Sequence, residues 1–312
     1  YHFHEFRDVA VNLGIDDDGP GWAGAFADFD RDGDQDLFIA KGGFTAFGQA
    51  NRMFRNEGDG SFIDISAEAG VDVNRSSYAA VGDFDLDGYL DLYVSQLRGQ
   101  EATLYRNRQG RFEDVTRSKR VLSFFQYSGA AAAFSDYDND GDIDLYAGVF
   151  GDFDRFYADV GDTAFAVVPV GAKGDMVGIA VGDYDEDGDL DVYTVNQSGR
   201  SALYQNNIDL SVFLDTGSES GTEIMAQGTG CTFVDYDSDG DLDLFVSNAF
   251  SPDRAFVNLG DGTFLNQSEA FGLADTSRAR AVLVGDVDND GDPDIYVINE
   301  GTNNRLYANG GG

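Results

Sequence analysis

The stretch Asp136–Tyr146 reads DYDNDGDIDLY, five aspartates and one glycine in eleven residues. It opens like an EF-hand calcium loop. Such a loop needs a Gly at position 6 and closes with a bidentate Glu at position 12. Counted from Asp136, position 6 is Gly141, but position 12 is Ala147, which has no oxygen to offer. Position 9 is Asp144, so the loop closes three residues early. Short apolar runs with strand-like alternation flank it, in place of two helices.

The motif occurs six times: DFDRDGDQD (28–36), DFDLDGYLD (83–91), DYDNDGDID (136–144), DYDEDGDLD (183–191), DYDSDGDLD (235–243) and DVDNDGDPD (286–294). Successive first aspartates lie 55, 53, 47, 52 and 51 residues apart. A period of that size marks a solenoid, an array or a propeller. Position 12 is Ile39, Val94, Ala147, Thr194, Val246 or Val297, so no copy is an EF-hand.

Calcium is a hard cation that takes six to eight oxygens. Each copy offers side chains at positions 1, 3, 5 and 9 and a backbone carbonyl at 7. Position 1 is Asp28, Asp83, Asp136, Asp183, Asp235 and Asp286; position 3 is Asp30, Asp85, Asp138, Asp185, Asp237 and Asp288. Position 5 is Asp32, Asp87, Asp140, Asp187, Asp239 and Asp290; position 7 is Asp34, Tyr89, Asp142, Asp189, Asp241 and Asp292. Position 9 is Asp36, Asp91, Asp144, Asp191, Asp243 and Asp294. Four carboxylates in one small loop repel one another strongly without a cation. About six Ca²⁺ ions, one per copy, are therefore expected, in a structural role.

The rest of the unit repeats with the loop. A short strand precedes it, with Phe26, Val81, Phe134, Val181, Phe233 or Val284 two residues before the first Asp. Cys231 fills a small-residue slot in that strand, where it reads as a small hydrophobe. A second strand follows each loop: DLFIA, DLYVS, DLYAG, DVYTV, DLFVS and DIYVI. A variable loop leads to a third strand, from NRMFRN (51–56) to NRLYAN (304–309), and a GDG-type turn to a fourth, such as SFIDIS (61–66), RFEDVT (111–116), AFAVV (164–168) and VFLD (212–215). Four strands joined by tight turns make a propeller blade. The fold class expected is all-β: a six-bladed β-propeller of four-stranded antiparallel blades, spanning 1–312 as one domain.

The last copy ends at NRLYANGGG, without a fourth strand, while HEFRDVAVNLGI (4–15) aligns with the fourth strand and turn GSFIDISAEAGV (60–71). The N-terminal strand is thus expected to complete the last blade and close the ring, which removes an edge. Deleting residues 1–10 is expected to destabilise it.

The D-x-D-x-D-G-x-x-D loop followed by D-L-Y/F-V, with the N-R-L-Y-x-N and G-x-F-x-D-V types of strand after it, resembles the FG-GAP/VCBS repeat family, which includes the propellers of integrin α-subunits. The resemblance covers nearly the whole chain. It departs from the integrin pattern in having six blades and a loop in every one. It implies an integrin-alpha-like propeller with calcium in the first hairpin of each blade, and extracellular binding or adhesion.

Composition sets bounds on partners. The chain has 57 acidic and 20 basic residues among 312, a net charge of −37. A field that negative excludes general nucleic-acid binding. No run of 18 apolar residues exists, so no membrane span is expected. A single cysteine excludes an intramolecular disulfide. Millimolar extracellular calcium would fill even weak loops, which points to a secreted or cell-surface protein.

In a propeller the calcium loops and GDG turns share one face. The opposite face carries the variable loops, where binding usually resides on a rigid scaffold. Phe44, Phe47, Arg98, Phe125, Phe150, Phe153, Arg200 and Phe250 lie in those loops. Aromatic and Arg side chains are typical interface anchors, so this is the candidate ligand face for a protein or glycan. Arg52, Arg155, Arg254 and Arg305 begin third strands in register, which favours pairing with aspartates. The basic island 106–120 reads as a solvated edge. His2 and His4, two apart in a strand, face one side, a weak pattern for a transition metal. The function expected is a non-catalytic, calcium-stabilised binding or adhesion propeller, with a homo-oligomer allowed. The alternatives are a carbohydrate-binding lectin, or a propeller polysaccharide lyase or glycosidase using Asp, Arg, Lys or Tyr.

Overall fold

The computed structural model describes residues 8–17, 19, 21–42, 49–71, 73, 76–96, 101–121, 131–161, 164–208 and 212–310. The chain is mainly β, a six-bladed β-propeller with mostly four-stranded antiparallel blades. Two compact units are distinguished, the first carrying blades 1 and 2, the second blades 3 to 6.

Blade 1 runs Gly21–Ala27, Asp36–Lys41, Arg52–Asn56, Phe62–Asp64. Blade 2 runs Ser76–Gly82, Asp91–Gln96, Thr103–Asn107, Phe112–Asp114. Blade 3 is Ala132–Ser135, Asp144–Ala147, Asp152–Ala158, Ala166–Gly174. Blade 4 is Met176–Gly182, Asp191–Asn196, Ala202–Asn207, Val212–Asp215. Blade 5 is Gly228–Val234, Asp243–Asn248, Arg254–Asn258, Phe264–Asn266. Blade 6 has three strands among the described residues, Ala279–Gly285, Asp294–Asn299 and Arg305–Tyr307. Within each blade the strands pair in chain order.

The N-terminal strand expected beside Arg305–Tyr307, with His2 and His4, lies outside the described residues. The turn after it matches the turn after the fourth strand of blade 1. Asp8 Oδ1 accepts the Ala10 amide at 3.1 Å, as Asp64 Oδ1 accepts the Ser66 amide at 3.0 Å. Each turn leads into one helical turn, Ala10–Leu13 or Ser66–Ala69, ended by a left-handed glycine, Gly14 or Gly70. The alignment of 4–15 with 60–71 therefore holds over its described part. No helix among the described residues is long and apolar enough to cross a membrane.

Second strands are the centre of each blade. Those of blades 2, 4 and 5 are buried along their full length, because neighbouring strands flank them and both faces are covered. The fourth strand of blade 3 extends to Gly174, well past the expected 164–168. Strand three there starts early, at Asp152: residues 154–158 pair one by one with 170–166, and beyond a bulge Asp152 pairs with Gly174. In five blades the entry to strand one also carries a bulge, for example between Ser76 and Tyr78, which re-aims the side chain at that point.

Adjacent blades within a unit are fastened by an asparagine at the end of strand three. Asn107 Nδ2 donates to Phe29 O of the preceding blade's loop at 2.7 Å and to its own Leu90 O at 2.9 Å. Asn206 donates likewise to Tyr137 O and Leu190 O, Asn258 to Tyr184 O and Leu242 O, and Asn309 to Tyr236 O. Removing such a group leaves two largely buried carbonyls without a donor. Asn206→Ala is expected to cost about 2–4 kcal/mol, read from urea unfolding; a variant as stable as the parent would show that the fastener is dispensable.

The residue before strand three caps the end of strand two. Asn51 Oδ1 accepts Lys41 N, Ser201 Oγ accepts Asn196 N, and Asn304 Oδ1 accepts Asn299 N. Blade 5 does the same with a fully buried carboxylate, Asp253, whose Oδ1 accepts Asn248 N at 2.7 Å. Burial pushes Asp253 up to about 7. Its folded value lies above its unfolded value, so stability is full below the unfolded value and declines as pH rises towards 7. Asp253→Asn keeps the acceptor without the charge. It is expected to match the parent near pH 4 and exceed it by about 1–3 kcal/mol at pH 8. Melting curves across that range check this; equal stability at pH 8 would refute it.

Candidate metal centre

Each loop is shaped by its own backbone before any cation is considered. Position 6 is a glycine with φ between 89° and 105°. Position 4 is also left-handed, although it is Arg31, Leu86, Asn139, Glu186, Ser238 or Asn289, with φ of 54–64°. That conformation disfavours most side chains, and it recurs in all six loops. The position-1 carboxylate organises the turn. Asp28 accepts the amides of Asp32 and Gly33 at 3.1 Å each, and the pattern repeats at Asp83, Asp136, Asp183 and Asp286.

Position 9 has a role that spacing alone did not suggest. In all six blades its Oδ2 accepts the amide of position 2, and its Oδ1 accepts an amide at the end of strand three or just beyond it. For Asp191 these are Tyr184 N at 3.1 Å and Asn206 N at 2.8 Å. The six side chains are buried. Burial raises Asp36 to about 6, Asp144 and Asp243 to about 7, and Asp91 and Asp191 to about 8. This aspartate pins the loop to strand three whether or not it also faces a cation.

Carboxylate oxygens converge within 4.8 Å of one another at Asp28, Asp30 and Asp32; at Asp83, Asp85 and Asp91; at Asp136, Asp138 and Asp144; at Asp183, Asp185 and Asp191; and at Asp235, Asp237 and Asp239. Positions 1 and 3 thus come together in each, joined by 5 or 9. Burial, and then the position-5 carboxylate, raise the position-3 acids Asp30, Asp85, Asp138, Asp185 and Asp237. One oxygen in each of five loops is buried without a hydrogen-bond partner: Oδ1 of Asp30, Asp85, Asp138 and Asp185 at position 3, and Oδ1 of Asp235 at position 1. A buried carboxylate oxygen without a donor is costly. An all-oxygen set with such an oxygen in the middle fits a hard cation such as Ca²⁺. Position-7 side chains point to other partners: Asp189 Oδ2 accepts Ile208 N, and Asp292 Oδ1 accepts the Ser238 hydroxyl.

On the variable loops, Phe44, Phe47, Arg98 and Phe125 lie outside the described residues. Phe250 is 68 % exposed, with the Arg278 guanidinium 4.9 Å from its ring centre. Phe153 is 40 % exposed under the Lys173 ammonium. Phe150 is half-buried and bridges to Gly174. Arg200 is engaged by Asp215 and Glu223 within the same unit, so it serves the scaffold. Of the third-strand arginines, Arg52 pairs with Asp64, Arg155 with Asp152 and Arg305 with Asp275. The basic island is tied down in part: Arg106 and Arg108 pair with aspartates, and Lys119 is buried against the Phe84 ring. Cys231 sits in strand one of blade 5, and burial pushes its thiol up, as its packing role requires.

The strand-three asparagines and the double acceptor at position 9 were not evident from the sequence. Both recur at fixed places in the repeat, which was the available signal.

Known proteins resemble this chain in sequence or in fold. The chain is 24 % identical to cartilage acidic protein 1 of Xenopus tropicalis over 318 residues, covering 88 % of this chain and 47 % of that protein. It is 24 % identical to the Mus musculus protein over 332 residues, covering 91 % and 49 %. The chain therefore spans about half the length of these relatives. Among solved structures, it superposes on BBS1N, from its complex with ARL6DN, with a TM-score of 0.55 at 14 % identity, covering 92 % of this chain and 77 % of that one. The V. cholerae biofilm matrix protein Bap1 gives 0.54 at 18 %, covering 88 % and 43 %. These likenesses are of fold. The FG-GAP-like repeat profile matches residues 28–94, 136–194, 183–246 and 235–297, most of the chain and all six loops. By that match and by the repeated loop geometry, the chain belongs to the FG-GAP-like repeat family.

Proposed function

We propose that the chain is a non-catalytic extracellular recognition module whose blades are each braced by a calcium ion at positions 1, 3, 5 and 9, and which binds a protein or glycan through the variable loops. The carrying observation is the buried, unpartnered carboxylate oxygen that recurs at position 3. It supports a permanent cation more readily than a solvated acidic turn. With the carboxylates engaged in this way, recognition falls to the variable loops. There the exposed Phe250 is the best-founded anchor, held by Arg278, whose guanidinium lies over its ring and pairs with Glu300. The extracellular setting draws on the names of two similar proteins, one of cartilage and one of a biofilm matrix.

A lectin reading has less support. The cavity of about 640 Å³ between blades 3 and 4 is lined mainly by apolar groups, among them Phe156, Val168, Val212 and Phe213, and offers few polar side chains, such as Asp138 and Asn206, to bond sugar hydroxyls. The test is binding to a glycan array and to a panel of purified extracellular-matrix proteins, in calcium and in EGTA. A saturable ligand weakened about tenfold or more by Phe250→Ala is the expected result. Binding indifferent to that change would remove Phe250 from the site, and absence of any ligand on both panels would count against recognition itself.

A further inference from the structure

The six loops share one motif but have different electrostatic surroundings. In blade 2, Arg106 Nε lies 2.7 Å from Asp85 Oδ2, and Arg108 Nη1 lies 3.1 Å from Asp87 Oδ2. Positions 3 and 5 of that loop therefore already carry a guanidinium each. Among the described residues, no other loop carboxylate has an ion pair. A third arginine approaches from blade 1. Arg31 lies 5.3 Å from the ring centre of Tyr89, and a Cβ on Gly88 would collide with its guanidinium. Tyr89 is itself the one position-7 residue that is not an aspartate.

The difference follows from one place in the repeat. The residue before the closing Asn or Asp of strand three is Arg106 in blade 2, but Ala158 in blade 3, Gln205 in blade 4, Val257 in blade 5 and Ala308 in blade 6. Its side chain reaches the position-3 aspartate: Gln205 Nε2 donates to Asp185 Oδ2 at 2.5 Å, the neutral counterpart of the Arg106 contact. Arg55 occupies the place in blade 1, where its guanidinium pairs with Glu57 and acts on Asp30 through space without an ion-pair contact, so blade 1 is intermediate between blade 2 and the rest. Blade 3, with Ala158, sets no cation against Asp138.

We propose that Arg106 and Arg108 partly substitute for the cation in blade 2, so that loop Asp83–Asp91 binds calcium more weakly than the arginine-free loops and keeps its shape when calcium is withdrawn. This rests on reading the loops as calcium sites. The physics is charge count: loop affinity for calcium follows the net negative charge of its ligands. Two guanidiniums paired with two of four ligand carboxylates, the largely covered Arg106 more strongly than the exposed Arg108, oppose a divalent ion at close range. Binding is weakened without being abolished, since Asp85 Oδ1 remains buried and unpartnered.

Hydrogen–deuterium exchange of the full chain, titrated with calcium from EGTA, separates the loops by peptide. Peptides over 136–144 and 235–243 are expected to gain protection at calcium concentrations at least about tenfold lower than the peptide over 83–91. The 83–91 peptide is also expected to be the better protected in EGTA. Arg106→Gln with Arg108→Gln should bring loop 83–91 into line with the others. Ala158→Arg, which places an arginine opposite Asp138, should move loop 136–144 about tenfold the other way, and it keeps the test open if the double variant does not fold. Equal midpoints in the parent, or a double variant that leaves the 83–91 midpoint unmoved, would overturn the proposal while leaving the calcium reading intact. A chain in which no loop responds to calcium would overturn both.

Discussion

Stripping calcium with EGTA is expected to lower the melting temperature by at least about 10 °C from its value in millimolar calcium. The physical basis is linkage. A ligand that binds only the folded state at a hundred times its Kd adds about 2.7 kcal/mol per site. Three carboxylate oxygens in each of five loops converge within 4.8 Å of one another in the folded chain, a juxtaposition the unfolded chain does not keep. Without a cation, the position-3 acids are half-buried beside neighbouring carboxylates, and burial followed by the position-5 charge raises them from their ordinary value. Several such loops acting together exceed the net stability of an ordinary domain. Magnesium should restore little of the loss, because it demands a tighter octahedron than these loops offer. An unchanged melting curve in EGTA would mean that the acidic turns are held by backbone hydrogen bonds alone.

The second large effect concerns one aspartate per blade and persists without calcium. Asp191→Ala is expected to destabilise the protein by about 3–5 kcal/mol in EGTA, and by more in calcium, where a ligand is lost as well. The side chain is fully buried, and its two oxygens satisfy Tyr184 N and Asn206 N. Alanine leaves both buried amides without an acceptor. It also frees the loop from strand three, where Asn206 fastens blade 4 to blade 3. Asp187→Ala is the contrast. Asp187 is exposed, and its Oδ1 accepts the Asp189 amide two residues along the same loop. Its cost should appear in calcium and nearly vanish in EGTA. Urea titrations of both variants in both buffers give the answer. If Asp191→Ala were mild in EGTA, position 9 would be a metal ligand first and a staple second.

These two aspartates show how far the sequence could be read. Both appear there as members of one motif, four residues apart. Periodicity named them as a group, because a repeat every fifty or so residues displays every member six times. Separating them required the partners of each oxygen. For Asp191 one of these lies fifteen residues away on strand three, and no local pattern encodes it. The same holds for Arg200. In the sequence it is a cation in a variable loop, but Asp215 at the end of strand four and Glu223 beyond it claim its guanidinium.

The sequence alone determined the number of blades, the order and pairing of their strands, the position of the acidic loops and their difference from an EF-hand. All of these follow from spacing and alternation, which are local and repeat six times. Tertiary structure decided the rest. It showed that position 9 is a backbone staple, that strand-three asparagines fasten blade to blade, and that entry bulges re-aim strand one. It also separated six nearly identical loops into one crowded by arginines and others that are not. Burial and hydrogen bonding are properties of where the chain meets itself. DYDNDGDIDLY reads the same in isolation, yet its character depends on Ala158 standing where blade 2 has an arginine.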